Sequence, residues 1–357
     1  MSDILILGYY GFKNSGDDAL LLSVIQQLKK QKDDIKLTVL SNDPEETKKN
    51  YGVPSIKRYN IFSLIKNIIS SKMLLVGGGT LIQDGTSTKS LMYYLFVIKT
   101  ALIFGKKVML YANGIGPLKE ENYNITKKVL NKVDVITLRD GISAEELKKI
   151  GVTKPKIIIT ADSVFNLEPK PQDIRVMHER KKYICVSVRS FKKISDSFED
   201  IIADACNYVY EKYGCTSVLI PFQKIKDMEI SKKIKEKIHH DAVLYNNTDC
   251  GIDELFDLFS GAVMCMGMRL HSLIYASICG VPSVGLAYDP KVAGFMEYIG
   301  QKRYIDTEKL ELNGLISIID DCMENRSKIS KELKTDLQDM KKRAEENAVI
   351  AVKLLNE

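Results

Sequence analysis

Short apolar runs alternate along the chain with longer stretches in which apolar residues recur at helical spacing. In the first half, the runs predict strands at Ile4–Leu7, Lys36–Leu40, Met73–Val76, Lys107–Tyr111, Val133–Thr137 and Lys156–Thr160. The stretches between them predict helices at Ala19–Lys30, Leu91–Phe104, Tyr123–Lys132 and Ser143–Ile150. Strands that are apolar throughout and alternate with helices indicate a parallel sheet covered on both faces.

The alternation is interrupted once and then restarts. Leu167–Asp173 contains two prolines and few apolar residues, and Arg180-Lys181-Lys182 follows, which is typical of a linker. Beyond it, strands are predicted at Tyr183–Val188, Ser217–Pro221, Ala242–Tyr245, Ala262–Cys265 and Pro282–Leu286. Helices are predicted at Phe198–Tyr213, Lys226–His239, Ile252–Phe259 and Leu273–Cys279. The tail, Ser327–Leu355, is rich in Lys, Glu, Leu and Ala and predicts long helices.

These patterns predict an α/β protein with two doubly wound Rossmann-like domains facing across a cleft. We expect an N-terminal domain at residues 1–172 and a C-terminal domain at 173–357, with the terminal helices closing the molecule. Ligands of open parallel sheets bind beyond the carboxyl ends of the strands. The residues that directly follow each predicted strand are therefore the candidates for a functional site.

Composition and charge narrow the choice of function. With 357 residues, the chain is longer than a domain with a single hydrophobic core usually is. Its net charge of +6 favours anionic partners. Nucleic acid is not expected, because aromatic residues do not interleave with the basic clusters. Seven scattered cysteines and an N-terminus without a secretion signal indicate a cytoplasmic protein. Four histidines without a Cys/His cluster predict no metal site.

The first loop, Gly8 to Ala19, contains two carboxylates at a predicted helix start. Gly11 and Gly16 have the spacing of a phosphate-binding loop, but Asp17 stands where that loop has its lysine. A nucleotide cradle of this kind is therefore excluded. Either Asp17 or Asp18 could cap the helix, and the other is a candidate general base for a sugar hydroxyl.

Two more glycine-rich turns follow strands of the first half. Gly77-Gly78-Gly79 allows a close backbone approach, and a helix N-terminus after it could hold an anion, although a tight turn is equally consistent. Asn113 could bind a sugar hydroxyl or stabilise its own turn. Arg139 lies near Asp140 and Asp162 in the predicted sheet, and a structural ion pair is the plain explanation for that set.

Cationic residues follow the strands of the second half. Arg189 comes directly after an apolar strand and suits bidentate binding of a carboxylate or phosphate. Arg269 and His271 combine a fixed cation and an imidazole at a helix entry. Tyr288 and Lys291 follow the next strand, and we expect them at the same edge.

In this order the motifs resemble those of the polysaccharide pyruvyl transferase family. The bacterial cell-wall enzymes that pyruvylate a lipid-linked disaccharide for surface-layer anchoring look most similar. The resemblance covers nearly the whole chain. It rests on Asn14-Ser15-Gly16-Asp17-Asp18, Gly77-Gly78-Gly79 with Gln83-Asp84, Gly114-Ile115-Gly116-Pro117, Asp162, Arg269-Leu270-His271, and Tyr288 with Lys291. The family has glutamate more often at position 18, so Asp17 carries over more safely than Asp18.

The resemblance implies a GT-B-like fold that binds phosphoenolpyruvate in the interdomain cleft, with no metal and no cofactor besides this co-substrate. It implies His271 as general acid or phosphate ligand, Asp17 as base and Arg269 as a clamp on the anion. The further substrate-binding candidates are Arg189, Leu270, Asn14, Gly78, Gly79, Asn113 and Lys291. The implied acceptor is an oligosaccharide linked to a lipid diphosphate, which adds an expected peripheral position at the inner face of the membrane.

Two alternatives from other functional classes remain open. A GT-B glycosyltransferase would use a nucleotide sugar on the same architecture, and fold analogy does not separate it from a pyruvyl transferase. A non-catalytic glycan-binding protein would bind sugar without releasing phosphate. Leu91–Phe104 is too short to span a bilayer, which takes about 20 apolar residues, and predicts a helix packed on the sheet. A face that contacts lipid is the alternative for that segment.

Overall fold

The computed structural model describes residues 2–168, 182–191, 197–245 and 251–357. Most of the predicted linker, including Pro169–Asp173 and Arg180-Lys181, lies outside the described residues, as does Cys250. Internal contacts divide the chain into two compact units. The N-terminal unit comprises Met1–Leu167 together with Met340–Glu357, and the C-terminal unit comprises Glu168–Asp339.

The N-terminal unit is built on a parallel sheet whose strand order is β3-β2-β1-β4-β6-β7-β8, with β5 paired to β6. Its strands are β1 (Ile4–Tyr10), β2 (Leu37–Ser41), β3 (Ser55–Lys57), β4 (Met73–Val76), β5 (Gly79–Ile82), β6 (Lys107–Ile115), β7 (Val135–Leu138) and β8 (Lys156–Ile159). Its first helices are α1 (Ser15–Gln31), α2 (Pro44–Tyr51), α3 (Ile61–Ser70), α4 (Thr88–Ile103), α5 (Glu120–Leu130) and α6 (Gly141–Ile150). A 3₁₀ turn at Ser163–Asn166 follows the last strand.

The C-terminal unit repeats this plan with a parallel sheet of order β11-β10-β9-β12-β13-β14. Its strands are β9 (Tyr183–Ser187), β10 (Thr216–Leu219), β11 (Val243–Leu244), β12 (Met264–Gly267), β13 (Ser283–Ala287) and β14 (Tyr304–Asp306). Its helices are α7 (Phe198–Tyr213), α8 (Lys224–Lys237), α9 (Ile252–Ser260), α10 (Leu270–Ile278), α11 (Pro290–Tyr298) and α12 (Leu312–Glu324), followed by α13 (Arg326–Asn356). The fold class is confirmed: both units are doubly wound, Rossmann-like α/β units of GT-B type.

Helices cover both faces of the N-terminal sheet because its strands are apolar on both sides. On one face, side chains of α3, α4, α5 and α6 pack with alternate strand residues such as Leu5 and Leu74. On the other face, α1 packs with Ile4, Ile6 and the end of α13. Each strand end is therefore fixed in position, and the loops that follow the strands carry the polar residues.

The last helix contributes to the core of the N-terminal unit. Ala348, Ala351 and Leu354 of α13 are buried in that core. The fully buried Asn347 accepts a hydrogen bond from the Thr160 hydroxyl at 2.8 Å and donates one to the Ala161 carbonyl at 3.2 Å. The sequence pattern places the whole tail with the C-terminal domain. The contacts instead assign Met340–Glu357 to the first unit, because its small apolar face completes that core.

The element boundaries differ from the predicted ones chiefly at the glycine triplet. The segment after Gly77-Gly78 is strand β5 rather than a helix, and Gly79 and Ile82 pair with Asn113 and Ile115 of β6. The predicted helix N-terminus that could hold an anion is therefore wrong at this point, because the backbone continues into the sheet. Within the described ranges, no helix is long and apolar enough to cross a membrane.

Candidate active site

Three adjacent strands of the C-terminal unit bring the predicted cationic residues to one edge of its sheet. Strand β12 lies between β9 and β13, and the register aligns Gly267 with Ser187 on one side and with Gly285 on the other. Because all three strands are parallel, their carboxyl ends meet at the same edge. The loops that start there carry Arg189, Arg269 and Tyr288.

A buried carboxylate fixes the guanidinium of Arg269. Arg269 Nε lies 2.9 Å from Oδ2 of Asp227, and Nη2 contacts the other carboxylate oxygen. Nη2 also donates to the side-chain carbonyl of Gln223 at 3.3 Å. Asp227 is fully buried and accepts the backbone N–H of Gln223 at 2.8 Å, so its own position is set by the first turn of α8. The guanidinium plane of Arg269 is thus oriented before any ligand binds.

Arg189 and Lys291 lie on the ring of Tyr288. The Arg189 Nη1 atom donates to the Tyr288 hydroxyl at 2.9 Å, and its guanidinium carbon is 4.8 Å from the ring centroid. Lys291 Nζ is 5.4 Å from the same centroid and 3.3 Å from a carboxylate oxygen of Asp289. The ring of Phe191 packs edge-on against Tyr288, with centroids 4.9 Å apart. These contacts hold the cations in place on an aromatic surface.

The positive charge of this cluster changes the acidity of Tyr288. Burial by itself opposes ionisation of the phenol, but the charges of Lys291 and Arg189 outweigh it. The pKa of Tyr288 is consequently lowered from its ordinary value, and Arg269 adds to the effect. A site that stabilises a phenolate in this way favours anions in general.

His271 lies in the first turn of α10, two residues after Arg269. Arg269 is the N-cap residue and Leu270 begins the helix, so His271 is close to the positive end of the helix dipole. The close approach of this helix to β12 needs glycine at position 267, where an added Cβ atom would lie 2.6 Å from the hydroxyl of Ser272. His271 thus lies at the same edge of the sheet as the three cations, and it is half-buried.

In the N-terminal unit, Asn14 and Asp17 lie together at the start of α1. The side chain of Asn14 caps the helix by accepting the N–H of Gly16 at 3.4 Å, and its amide donates to the carboxylate of Asp17. Neither Asp17 nor Asp18 is the cap that the sequence suggested; both lie in the first helical turn. An added Cβ on Gly79 would lie 3.3 Å from Oδ1 of Asp17, so the glycine triplet passes directly beside this carboxylate.

Glycines surround the buried tyrosine below Asp17. A Cβ atom at Gly77 would lie 2.2 Å from the Tyr10 hydroxyl, and one at Gly78 would lie 2.7 Å from Leu20. Burial raises the pKa of Tyr10 well above its ordinary value, and the carboxylate of Asp17 raises it further. The triplet is therefore required for packing around Tyr10 and α1. A ligand-binding role for Gly78 and Gly79 stays a prediction.

Asn113 is fully buried at the end of β6, where its amide group donates to the carbonyls of Val76, at 2.8 Å, and Tyr111, at 3.0 Å. It thereby ties together the ends of β4 and β6. Its binding of a sugar hydroxyl stays a prediction. The structural ion pair considered for Arg139 is formed, with Nη1 lying 3.0 Å from Oδ2 of the buried Asp162.

One buried cation of this edge escaped the sequence reasoning. The guanidinium of Arg58 donates to the carbonyl of Gly8 at 3.2 Å and lies 4.5 Å from the ring centroid of Tyr93. The same guanidinium carbon lies 5.2 Å from the ring centroid of Phe12 and 5.1 Å from that of Tyr59. Arg58 follows a three-residue strand that the apolar pattern does not reveal, so no sequence signal marked it.

Comparisons with known proteins relate this chain to carbohydrate enzymes. The sequence model that describes polysaccharide pyruvyl transferases matches residues 14–290. The amylovoran biosynthesis protein AmsJ of Erwinia amylovora is 23% identical over an alignment 395 positions long, which covers 92% of this chain and 94% of the relative. The matched region includes every candidate residue of both units except Lys291, which follows it directly.

Solved structures of similar fold include two that contain uridine nucleotides. HepE of Anabaena, in complex with UDP and glucose, superposes with a TM-score of 0.67 at 11% identity and 99% coverage of both chains. The UDP-GlcNAc 2-epimerase of Neisseria meningitidis, bound to UDP-GlcNAc, gives a TM-score of 0.67 at 14% identity and 100% coverage of both. At such identities the likeness establishes the fold alone.

The ion pair of Arg269 gives a first prediction. Asp227→Asn should lower the free energy of unfolding of the C-terminal unit by about 3 kcal/mol, because it leaves a largely buried guanidinium without its counter-charge. Urea unfolding followed by circular dichroism measures the change. Glu236→Gln, on the exposed side of the same helix, is the matched control and should leave the unfolding curve in place. An Asp227→Asn curve that superposes on the wild type would contradict the structural importance of this pair.

The acidity of Tyr288 gives a second prediction. The pKa of Tyr288 should lie below the ordinary value of about 10 and should rise in Lys291→Met, which removes a positive charge from its ring. The difference in ultraviolet titration between each protein and its Tyr288→Phe counterpart isolates this residue. Because the pKa is lowered on folding, ionised Tyr288 stabilises the protein above about pH 10. That contribution is lost as the pH falls through the lowered pKa. An unchanged titration in Lys291→Met would refute the assignment.

Proposed function

This chain belongs to the polysaccharide pyruvyl transferase family, and we propose that it transfers pyruvate from phosphoenolpyruvate onto two hydroxyls of one sugar. Family membership and the similarity to AmsJ make it a transferase of polysaccharide biosynthesis. The donor, the acceptor and the roles of individual residues are the parts that we propose. No metal or organic cofactor takes part in the proposed reaction.

The observation that carries the proposal is the cation cluster of the C-terminal unit. Phosphoenolpyruvate has a carboxylate and a phosphate on the same carbon atom, C2, and needs more than one fixed cation. Arg189, Arg269 and Lys291 supply three at one sheet edge, and the carboxylates of Asp227 and Asp289 leave that edge with an excess of positive charge. Planar guanidinium groups match both anionic groups of the donor.

The reaction balances with no further reactant. One sugar hydroxyl adds to C2 of phosphoenolpyruvate and loses its proton, while C3 gains a proton and becomes a methyl group. The C2–O bond to phosphate then breaks, and phosphate leaves with the bonding electron pair. The second hydroxyl bonds to C2 and releases its proton, which closes the ketal. The products are the pyruvylated sugar and inorganic phosphate.

Each step requires a group that the chain contains. Asp17 is assigned as the base that accepts the proton of the attacking hydroxyl, and its contacts with Asn14 and Gly79 fix its orientation. His271 is assigned as the acid that protonates C3 or the departing phosphate. Arg189 and Arg269 hold the carboxylate and phosphate, and their charges favour the bond breaking that releases phosphate.

The acceptor in this proposal is a cell-wall oligosaccharide carried on a lipid diphosphate. The N-terminal unit is assigned to it, because Asp17, the glycine triplet and the aromatic rings around Arg58 lie at one edge of that unit. Nucleotide sugars are the ligands to compare with phosphoenolpyruvate in a binding test, since HepE and the Neisseria epimerase were solved with uridine nucleotides.

The donor gives a third prediction. Phosphoenolpyruvate should raise the unfolding temperature of the wild type, and a concentration of 100 times its dissociation constant should stabilise the protein by about 2.7 kcal/mol. Arg269→Ala should lose that shift because one clamp on the anion is gone. Thermal unfolding with phosphoenolpyruvate, inorganic phosphate, UDP-glucose and UDP-GlcNAc measures it.

The matched control is Arg326→Ala, which removes the same charge from an exposed position of the C-terminal unit. It should retain the full phosphoenolpyruvate shift. A shift that is produced by UDP-sugars and not by phosphoenolpyruvate would contradict the proposal and favour the glycosyltransferase alternative. Glycan binding with no effect of either donor would favour the non-catalytic one.

The acid and the base give a fourth prediction. Asp17→Asn and His271→Gln should each lower the turnover by about 10²–10⁴-fold while leaving phosphoenolpyruvate binding nearly intact, because each removes a proton-transfer group. Acceptor-dependent release of phosphate measures the turnover. Asp18→Asn is the matched control in the same helical turn and should keep most of the activity. Reversed effects of the two aspartate variants would make Asp18 the base.

A further inference from the structure

Helices α3 and α4 of the N-terminal unit present an apolar face that the sheet does not cover. The outward side chains are Ile61, Phe62, Lys66 and Ile69 of α3, and Phe96, Lys99, Ile103 and Phe104 of α4 and its C-cap. We call this surface the α3–α4 face. Phe62 is 90% exposed and Ile103 is 70% exposed, which is unusual for such large apolar side chains.

Each helix of the face repeats the same outward stripe. On α3, Phe62, Lys66 and Ile69 are spaced by four and three residues, so they lie on one side of the helix. On α4, Phe96, Lys99 and Ile103 form the corresponding stripe at spacings of three and four. An aromatic ring, a lysine and an isoleucine thus follow each other along both helices.

The two stripes are held side by side. Near the start of α3, the rings of Tyr59 and Tyr93 are 5.5 Å apart. Near its end, Lys106 Nζ donates to the Ile69 carbonyl at 2.7 Å and ties the end of α3 to the segment after α4. The inner sides of both helices are fixed in the core through residues such as Leu64 and Ile98. The face is therefore a rigid surface and not two independent helices.

The charge of this region has one sign. Residues 55–107 contain eight lysines and arginines and a single acidic residue, Asp84, whereas the whole chain carries a net charge of only +6. Asp84 is 2% exposed, and its carboxylate accepts the N–H of Lys119 at 2.9 Å and the amide of Asn122. Every solvent-exposed formal charge within residues 55–107 is consequently positive. Two of these cations, Lys72 and Lys107, form ion pairs with Asp3 and Asp134 outside the segment, whereas Lys66 and Lys99 of the α3–α4 face are in no ion pair that the described residues show.

We infer that the α3–α4 face binds the surface of an anionic lipid bilayer. Phenylalanine and isoleucine side chains can enter the boundary between headgroups and acyl chains, while Lys66 and Lys99 extend to the lipid phosphates. Basic residues near an anionic membrane surface add to the attraction of the buried apolar area. A second copy of the chain fits less well, because a two-fold axis would pair this face with itself, and the face contains no acidic residue to pair with Lys66 and Lys99.

The face is continuous with the proposed acceptor edge of the same unit, and this step rests on the proposed function. The Tyr93 hydroxyl donates to the backbone carbonyl of Arg58, whose guanidinium in turn donates to the carbonyl of Gly8. Gly8 lies near the end of β1, and the loop that follows this strand leads to Asp17. A bilayer bound on α3 and α4 would hold a lipid-linked sugar near the residues assigned to it, so that the acceptor needs no release from the membrane.

Vesicle co-sedimentation of the full chain tests the inference. Vesicles of phosphatidylcholine with about 30 mol% phosphatidylglycerol should bind the wild type at low salt, and vesicles of phosphatidylcholine alone should bind it far less. Phe62→Ser should weaken binding about fivefold, because it removes the most exposed apolar side chain. Lys66→Glu with Lys99→Glu should weaken it more than about tenfold.

Matched controls come from the C-terminal unit. Ile225→Ser removes an apolar side chain that is 85% exposed, and Lys232→Glu with Lys235→Glu makes the same change of net charge at exposed sites of α8. Both should bind vesicles as the wild type does. Equal vesicle binding by the face variants and the controls would overturn the inference. Equal binding of the wild type to vesicles with and without phosphatidylglycerol would also overturn it. Loss of a dimer in the face variants, seen by sedimentation velocity without any vesicle binding, would make this face a contact between copies.

The phosphoenolpyruvate shift in unfolding temperature separates this inference from the proposed function. The face variants should retain the shift of the wild type, since their substitutions lie in the N-terminal unit and outside the residues assigned to the donor. If the wild type binds vesicles but shows no phosphoenolpyruvate shift, the membrane-binding role of the α3–α4 face stands and phosphoenolpyruvate is not the donor. If it shows the shift but binds no vesicles, phosphoenolpyruvate stands as the donor and the membrane-binding role is wrong.

Discussion

The buried ion pair between Asp227 and Arg269 is the interaction on which the cationic edge of the C-terminal sheet depends. A guanidinium at the end of a strand could turn towards several partners, but the carboxylate of Asp227 takes two of its N–H groups and fixes its plane. Asp227 is itself fixed by the N–H of Gln223, so the orientation is inherited from the first turn of α8. The position of one cation is thereby set by secondary structure. Arg189 and Lys291 are fixed differently, through the ring of Tyr288.

The same edge combines rigidity with an excess of positive charge. Burying cations without a ligand is costly, and the chain offsets that cost with carboxylates, an aromatic ring and a phenol whose pKa is lowered by the cations. An anionic substrate would therefore meet groups already in place and would lose little free energy to their ordering. This arrangement suits a small dianion or trianion better than a neutral sugar, which needs hydrogen-bond acceptors as well as donors.

The apolar pattern of the sequence predicted the central strands of both sheets and the residues that follow them, but not the short strands β3, β5 and β14. Met73–Val76 is predicted to the residue, and Arg189 and Arg269 follow buried strands as expected. Asp227 could not be found, because it lies inside a helix and its role depends on a residue 42 positions away. Glycine misled the prediction at Gly77-Gly78-Gly79, since the triplet is consistent with either a turn into a helix or a continuing strand. Helix α3 was missed because the three-residue strand before it gave no strand signal, so the segment did not show the alternation of strand and helix on which the prediction relied.

The last helix has a consequence for how the protein forms in the cell. Residues 340–357 supply Ala348, Ala351 and Leu354 to a core that otherwise consists of the first 167 residues. On the ribosome, the C-terminal unit is synthesised in full before this final segment emerges. Part of the apolar surface of the N-terminal unit is therefore open to water until residues 340–357 have been synthesised. The unit that is made first is completed only after the other unit has been made.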